Sequence, residues 1–460
     1  MSDNRKPYSP PKLESHEVTV IGKHQTFDIT TSDEFEEPHD LKALVAEYGS
    51  PLLILSEQTL RGQFRSFRDA FTAPGLETRI AYSYKTNYLP AVCAILHDEG
   101  ALAEVVSGME YDLARSLGVP GEDIVFNGPF KRPDELRAAI TDGALVNIDG
   151  FDELKSISKI ASGLGRKARV GLRVNFQYGA EPWTKFGFNV ENGDSQRALK
   201  IIAGDGNLEF EALHNHSGTF LVDPNVYDQA ASVMIEEVKR ACKLGLRVKV
   251  LDFGGGYRSE NKLKPMFDDP NGNAFKGTFL TRVAEAVLNK VSKAKDLFEE
   301  RPVIILEPGR AVVDSCMRLM STVVAAKVLS NKRQSIVIDA GVNILPTAYW
   351  YDYDMVQPPD PDVSPAGKIR PTTVFGPLCM QIDVIRDNVL LPPLNAGATL
   401  SIANVGAYCL TQSMQFIQPR PAVVMLTKDG PHLVRRAETW RDIFALDYVP
   451  EHIRNAGGTF

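Results

Sequence analysis

Short apolar runs alternate with amphipathic stretches of helical spacing from about residue 52 to about residue 315. An alternation on this scale indicates repeated βα units. We predict an α/β fold built on a closed (β/α)8 TIM barrel, with an open doubly wound sheet as the alternative. The predicted strands are residues 52–55, 80–85, 103–106, 124–126, 145–148, 168–174, 208–216, 248–253 and 303–307.

The pattern changes after Arg310, where strands separated by Pro- and Gly-bearing turns replace the βα repeat. The strands predicted there are 312–329, 335–339, 372–375, 399–402, 422–427 and 432–435, and the proline-rich segment 357–371 is predicted to be a loop. We therefore divide the chain into four parts. They are a disordered lead at 1–15, strands (16–21 and 24–29) and a helix at 16–50 that pack with the β-domain, a barrel at 51–315, and a C-terminal β-domain at 316–460.

Composition narrows the possible partners and the compartment. The net charge of −7 argues against a nucleic-acid partner, and no run of about 20 apolar residues predicts a membrane span. The five cysteines are an odd number at scattered spacings, which favours free thiols over a disulfide framework. The polar N-terminus has no apolar run typical of a signal peptide. We expect a cytoplasmic protein.

Lys85 closes the predicted strand at 80–85, among aromatic and small residues. Catalytic groups of (β/α)8 barrels lie at the C-terminal ends of the strands. A lysine in such a place can have its pKa lowered enough to act as an amine nucleophile, although most lysines are solvated surface charges.

His214 and His216 end the strand predicted at 208–216, and their spacing puts both on one face of that strand. They could be structural histidines, they could ligate a metal, or a flat imidazole could stack on an aromatic cofactor ring. The sequence shows no matching acidic or cysteine cluster nearby, so we predict no metal.

Gly254, Gly255 and Gly256 follow the strand predicted at 248–253. Three glycines in this position form either a generic tight turn or a loop whose backbone N–H groups approach a phosphate closely. The glycine spacing of a Rossmann fingerprint is absent.

Glu307 closes the strand predicted at 303–307, and Arg310 follows three residues later. A buried carboxylate needs a partner, and in the structural interpretation that partner is Arg310. In the functional interpretation the carboxylate faces a pyridine nitrogen and keeps it protonated, which makes the ring an electron sink.

Two residues of the β-rich part could also take part in chemistry. Cys379 follows a Gly-Pro-Leu turn and is either a small buried residue or a proton donor. Tyr408 follows Val405-Gly406-Ala407 and supplies a phenol that could meet a phosphate.

Six segments occur in the order typical of one enzyme family: Tyr-Ser-Tyr-Lys-Thr-Asn, His-Asn-His-Ser-Gly-Thr, Asp-Phe-Gly-Gly-Gly-Tyr, Glu-Pro-Gly-Arg, Gly-Pro-Leu-Cys and Val-Gly-Ala-Tyr. The chain resembles the fold-type III decarboxylases that depend on pyridoxal 5'-phosphate (PLP), the diaminopimelate and ornithine decarboxylase family. The resemblance runs from about residue 45 to about residue 445. It implies an alanine-racemase-like barrel followed by a β-domain.

The resemblance also implies roles for individual residues. Lys85 would hold PLP covalently, and Glu307 would pair with the pyridine nitrogen. His216 would stack on the ring, and Arg173 would approach the phenolic oxygen. The residues implied in phosphate binding are Thr219, Gly254, Gly255, Gly256, Gly309, Arg310 and Tyr408.

Glu104 and Glu110 would lie near Lys85, although the family usually has Asp at position 104. The implied reaction removes the α-carboxylate of an amino acid, and Cys379 would return a proton to Cα. Because Cys379 would reach the active site of the other subunit, the resemblance implies an obligate homodimer with shared sites.

Three positions depart from the family where the far end of the substrate binds. Diaminopimelate decarboxylases follow the active-site Cys with Glu, but this chain has Met380. They also carry an Arg where this chain has Leu345, and ornithine-type enzymes place an acid where it has Trp350. Losing a charged partner of a buried substrate group weakens binding of that group. The predicted substrate contacts are Arg310, Tyr349, Trp350, Met380 and Tyr408.

We therefore predict a PLP-dependent decarboxylase that acts on an L-configured amino-acid centre with an unusual tail, such as a siderophore precursor or a carrier-bound aminoacyl group. The alternative in the same class is a diaminopimelate decarboxylase that makes L-lysine. A racemase is disfavoured because racemases of this fold usually place Arg against the pyridine nitrogen. The alternative of another class is a non-catalytic regulatory homologue.

Overall fold

The computed structural model describes residues 40–178, 184–264, 267, 277–356 and 369–453. The predicted lead, the predicted strands at 16–21 and 24–29 and most of the predicted loop at 357–371 lie outside these residues. The described chain begins with the helix Leu41–Tyr48, which Asp40 caps by accepting hydrogen bonds from the N–H groups of Lys42 and Ala43. Strand β1 (Leu52–Ser56) follows it.

Eight parallel strands form a closed barrel, which confirms the predicted fold. These strands are β2 (Glu77–Ser83), β3 (Leu102–Val105), β4 (Ile124–Phe126), β5 (Leu145–Ile148), β6 (Ala168–Asn175), β8 (Leu208–His214), β9 (Val250–Asp252) and β10 (Val303–Leu306), and the short β7 (Phe188–Asn189) pairs with β6. The order around the barrel is β5-β4-β3-β2-β10-β9-β8-β6, and pairing of β5 with β6 closes the ring.

Amphipathic helices surround the barrel. In the helix Glu57–Ala70, Leu60, Phe64 and Phe67 repeat at helical spacing and are buried, because this stripe faces the core. The other helices between the barrel strands are Pro90–Asp98, Gly108–Ser116, Pro133–Asp142, Phe151–Leu164, Asp194–Ala203, Asn225–Lys243 and Phe279–Lys293. No helix in the described residues is long and apolar enough to cross a membrane.

The second sheet belongs to the C-terminal β-domain. Its strands are β1 with β11 (Met317–Val328), β12 (Gln334–Ile338), β13 (Met355–Val356), β14 (Arg370–Phe375), β15 (Val384–Leu391), β16 (Thr399–Ile402), β17 (Ala422–Thr427) and β18 (Gly430–Arg435). The long strand β11 pairs with β1, β12 and β16, so it forms the centre of this sheet. Two short helices, Arg310–Val313 and Trp440–Ile443, flank the sheet in sequence.

The prediction that residues 52–55 form a barrel strand is wrong in its placement. Strand β1 lies in the β-domain sheet, antiparallel to β11 and parallel to β17. A short apolar run predicts a buried strand, but nothing in it tells which of two sheets the strand will join. The strand predicted at 312–329 also begins later than expected, because Arg310–Val313 is helical.

Lys85 does not end a strand as predicted. Strand β2 ends at Ser83, and Lys85 lies in the following 3-10 turn, Tyr84–Thr86. The β-domain contacts this turn, because the N–H of Tyr408 donates to the Thr86 carbonyl oxygen at 2.8 Å. The Asn87 side chain also donates to the carbonyl oxygen of Gly406 at 2.9 Å. The two domains therefore meet at the C-terminal end of the barrel.

Candidate active site

The C-terminal ends of the barrel strands surround a cavity of about 120 Å³. Most of the residues predicted to bind a cofactor line it together with residues of the β2 turn. The predicted residues in its wall are Lys85, His216, Thr219, Gly255, Gly256, Glu307, Gly309, Arg310 and Tyr408. Segments more than 300 positions apart in sequence, at Lys85 and Tyr408, thus meet in one site.

Lys85 forms an ion pair at the floor of this cavity. Its Nζ lies 2.7 Å from Oε2 of Glu104, which is buried, while about a third of the lysine side chain is exposed (34%). Burial acts to lower the pKa of Lys85, but Glu104, Tyr408 and Glu307 outweigh it, so the pKa is raised. The shift is therefore opposite in direction to the lowering that the sequence analysis considered for this lysine.

Glu104 and Glu307 are joined through an amide that the sequence analysis did not single out. Asn127 follows β4, and its Nδ2 donates to Glu307 Oε1 at 2.6 Å and to Glu104 Oε1 at 3.0 Å. Ser83 donates a further short hydrogen bond to Glu104. The signal that could have found Asn127 is its position directly after a barrel strand, the same position that identified Glu307.

Glu307 lies in a buried cluster with His214 and Asp252. One imidazole nitrogen and one oxygen from each carboxylate all lie within 4.8 Å of one another. His214 Nε2 is 3.4 Å from Glu307 Oε2. Burial acts to raise the pKa of Glu307, but His214 and Lys85 outweigh it, so the pKa of Glu307 is lowered. Burial and the neighbouring Glu307 carboxylate raise the pKa of Asp252. The expectation that no acidic residues accompany the histidines is therefore wrong, because β9 and β10 bring two to His214.

His216 presents a neutral imidazole to the cavity. The N–H of Gly255 donates to its Nδ1 at 2.9 Å, which fixes that nitrogen as an acceptor. Burial, and then the nearby cations Arg173 and Lys85, lower the pKa of His216 well below its ordinary value. An uncharged flat ring held in one orientation can stack on a second ring.

The three glycines form a close-fitting loop beside this histidine. Gly254 and Gly256 have φ of 61° and 98°, which L side chains rarely adopt. A Cβ at Gly255 would lie 2.5 Å from the carbonyl oxygen of Glu307 and 3.3 Å from Cε1 of His216. The loop therefore requires glycine for close backbone approach, as a phosphate site does.

Arg310 supplies positive charge next to this loop. Its Nη1 has no hydrogen-bond partner among the described residues and lies 3.9 Å from Asp314 Oδ2. Its guanidinium carbon lies 4.9 Å from the ring centres of Tyr351 and Tyr408. An almost fully buried guanidinium with a free donor requires an anionic or polar ligand.

Arg173 and Glu110 lie behind the cavity wall. Arg173 is buried and pairs with Asp149 at 3.2 Å. Glu110 accepts a hydrogen bond from the N–H of Val106 at 2.7 Å, and burial raises its pKa to about 7. Lys85 acts to lower the pKa of Glu110, so these two groups lie near each other, whereas the charged neighbours of Arg173 are Asp149, Glu307 and Glu104.

Among the residues predicted to contact the substrate or to protonate Cα, four do not line this cavity: Cys379, Met380, Tyr349 and Trp350. The predicted cofactor residues Glu104, Arg173 and Gly254 do not line it either. Cys379 is exposed, and 63% of Tyr349 and 40% of Trp350 is exposed. Leu345 is fully buried in the hydrophobic core.

The groups that surround this cavity fit PLP as the cofactor. The phosphate requires close-approaching backbone and a cation, which the glycine loop and Arg310 offer. The pyridine nitrogen requires a buried carboxylate, which Glu307 offers, and the aldehyde requires a lysine, which is Lys85. Thr86 Oγ1 and Tyr257 Oη have no hydrogen-bond partner among the described residues, so donors remain for a polar ligand in this cavity.

A closed barrel with a lysine, a buried glutamate and a glycine loop at its C-terminal end defines a PLP enzyme of the barrel-plus-β-domain class. The chain belongs to the pyridoxal-dependent decarboxylase family. The family's pyridoxal-binding domain matches residues 57–314, and its C-terminal sheet domain matches residues 225–406. The chain is therefore a PLP-dependent amino-acid decarboxylase by family.

Two relatives that the chain matches over nearly its whole length are both named for one activity. The diaminopimelate decarboxylase of Methanocaldococcus jannaschii is 28% identical over 94% of this chain and 98% of its own length. That of Aquifex aeolicus is 29% identical over 91% and 94%. The crystal structure of the M. jannaschii enzyme with L-lysine has a TM-score of 0.80 over 90% of this chain and 96% of the other. These relatives support the decarboxylation of an amino acid with PLP as the activity of this chain.

Proposed function

We propose that this chain decarboxylates diaminopimelate or a closely related diamino acid. The observation that supports the proposal is likeness over nearly the full length to diaminopimelate decarboxylases, one of them in complex with L-lysine. The division into a PLP-binding barrel and a β-domain is proposed with it, β1 being assigned to the β-domain.

Each of the main side chains in the cavity would have a separate role in decarboxylation. PLP, when bound, accepts the electron pair that the leaving carboxylate releases. Glu307 would hold a proton at the ring nitrogen, and His216 would keep the ring flat against its imidazole. Lys85 would bind the cofactor covalently after giving up a proton, which Glu104 at 2.7 Å helps to retain on the resting lysine.

The glycine loop would bind the phosphate together with two side chains, one following the last barrel strand and one from the β-domain. Arg310 would donate from its partnerless Nη1, and Tyr408 would donate its phenol from the β-domain. Thr219, exposed at the wall of the cavity, would add a hydroxyl.

We further propose a homodimer in which Cys379 acts in the partner's cavity. Cys379 is exposed and does not line the cavity of its own chain. If Cys379 protonates Cα, its thiol would therefore reach the cavity from a second copy of the chain.

A second candidate substrate has an altered tail, as the sequence analysis expected. Two residues favour this candidate. Leu345 is buried in the core and offers no positive charge to a distal carboxylate, and Met380 stands where an acid would bind a distal amine. Asp354 follows Trp350 by four residues and is a candidate substitute partner for a distal amine. It already pairs with Lys262 at 3.3 Å and Arg386 at 3.7 Å, so it would bind such an amine weakly.

The experiment that tests the proposal measures CO₂ release by PLP-loaded protein offered meso-diaminopimelate, lysine, ornithine and 2,4-diaminobutyrate. Fast turnover of meso-diaminopimelate alone is expected. Turnover of none, with PLP bound, would contradict the diaminopimelate proposal and favour the altered tail. Glu307→Gln is the matched variant, and its kcat should fall about a hundredfold or more while PLP still binds.

A further inference from the structure

Asn127 lies between the carboxylates of Glu104 and Glu307. One nitrogen, Nδ2, donates to both Glu307 and Glu104, and Asn127 is 4% exposed. Glu104 is in turn paired with Lys85 at 2.7 Å. A single continuous path of polar contacts therefore runs from Lys85 through Glu104 and Asn127 to Glu307.

A second amide, that of Asn147, fixes the orientation of the Asn127 side chain. Asn147 of β5 donates its Nδ2 to Asn127 Oδ1 at 2.8 Å, so the donating end of Asn127 must face the carboxylates. The neighbouring strand leaves room for Asn147, because a Cβ at Gly171 would lie 2.0 Å from Asn147 Oδ1. The backbone N–H of Asn127 donates to the Val105 carbonyl oxygen at 2.8 Å.

Two buried carboxylates that share a site repel each other, and one of them tends to take up a proton. A donor placed between them lowers that repulsion without adding a charge, and a hydrogen bond to an ionised group is stronger than one to a neutral group. The other charged or titratable groups near the pair come from other strands, turns or helices: Lys85, Glu110, Arg173, His214, His216, Asp252 and Tyr257.

We propose that Asn127 is a positioning residue of this site, which holds the Glu307 and Glu104 carboxylates in fixed orientation and keeps Glu307 ionised, so that the two act together. The proposal rests on the proposed roles of Lys85 and Glu307, and it does not depend on which amino acid is the substrate. Asn127 touches no reacting atom. It acts through the two carboxylates.

The test compares PLP-loaded wild-type protein with Asn127→Leu, which removes the donor at similar volume. Asn127→Ser serves as a smaller second variant in case the leucine is not accommodated. Asn207→Leu is the matched control, because it removes a partly buried amide that donates to Ser158 at 3.2 Å away from the cavity. The readouts are the visible absorbance of Lys85-bound PLP against pH, the dissociation constant for PLP, and the thermal midpoint.

Loss of the donor should raise the proton affinity of Glu307 by about tenfold, so the acid limb of the absorbance curve moves to higher pH. Affinity for PLP should weaken by a similar factor in both Asn127 variants and stay unchanged in Asn207→Leu. A purely structural role would lower the thermal midpoint and leave the absorbance curve in place, and that result overturns the inference. A wild-type protein that binds no PLP overturns both this inference and the proposed function.

Discussion

Lys85 Nζ and Glu104 Oε2 lie 2.7 Å apart at the floor of the cavity, where Glu104 is buried and the lysine is partly exposed. This pair explains why the pKa of Lys85 is raised despite burial. The resting lysine is charged, and it must lose its proton before its nitrogen can attack an aldehyde.

Removing this carboxylate should therefore speed cofactor attachment near neutral pH. In Glu104→Gln the pKa of Lys85 falls, and a larger fraction of the amine is neutral. The rate constant for PLP association, followed by stopped-flow absorbance at pH 7, should rise about tenfold. Glu104→Asp keeps the charge and should stay closer to wild type. A rate in Glu104→Gln at or below that of Glu104→Asp would show that Glu104 is needed as a base.

Adding one methyl group to the glycine loop should weaken both the fold and the cofactor site. In Gly255→Ala the new Cβ would lie 2.5 Å from the Glu307 carbonyl oxygen, a backbone atom that cannot turn away. We expect a loss of about 1–3 kcal/mol in the free energy of unfolding. PLP affinity should fall about tenfold. Gly206→Ala is the control, since its Cβ would meet no atom within 4 Å. Equal denaturation midpoints and equal PLP affinity in the two variants would contradict the close fit.

Glu110 should make stability depend on pH. Burial raises its pKa from 4.5 to about 7, so the folded protein binds this proton more tightly than the unfolded chain. The free energy of unfolding should therefore fall as pH rises from about 4.5 to about 7, by about 3 kcal/mol from this group. Glu110→Gln should lose that part of the slope while still accepting from Val106. The check is urea unfolding of PLP-free protein across this range, and identical slopes in the two proteins would refute the assignment.

Shared active sites predict recovery of activity on mixing inactive variants. Lys85→Ala lacks the cofactor lysine, and Cys379→Ala lacks the proposed proton donor. If each site uses Lys85 of one copy and Cys379 of the other, unfolding and refolding a mixture should restore about a quarter of wild-type activity. Failure of the mixture to exceed the separate variants would place both residues in one chain's site.

Strand ends made most of the cavity predictable from the sequence. Lys85, His216, the glycine loop and Glu307 each follow a recognisable apolar strand, and the barrel brings all such ends to one face. The same rule applied to β4 would have found Asn127. A lone asparagine after a strand is also typical of a turn, so the residue type alone does not indicate a site.

Other features could not be read from the sequence. The placement of β1 in the second sheet depends on pairing with β11 and β17, which are more than 260 positions away in sequence. The convergence of His214, Asp252 and Glu307 depends on which strands are neighbours, and the order of strands in a barrel is a property of the closed fold. The raised pKa of Lys85 follows from the reach of the Glu104 side chain.

The most direct test of the central claim locates the cofactor on the chain. PLP-loaded protein is reduced with borohydride, digested, and its peptides are analysed by mass spectrometry. We predict that the mass of reduced PLP lies on the peptide containing Lys85 and is absent from the Lys85→Ala variant. The adduct on another lysine, such as the buried Lys131, or no adduct on any peptide, would contradict the account.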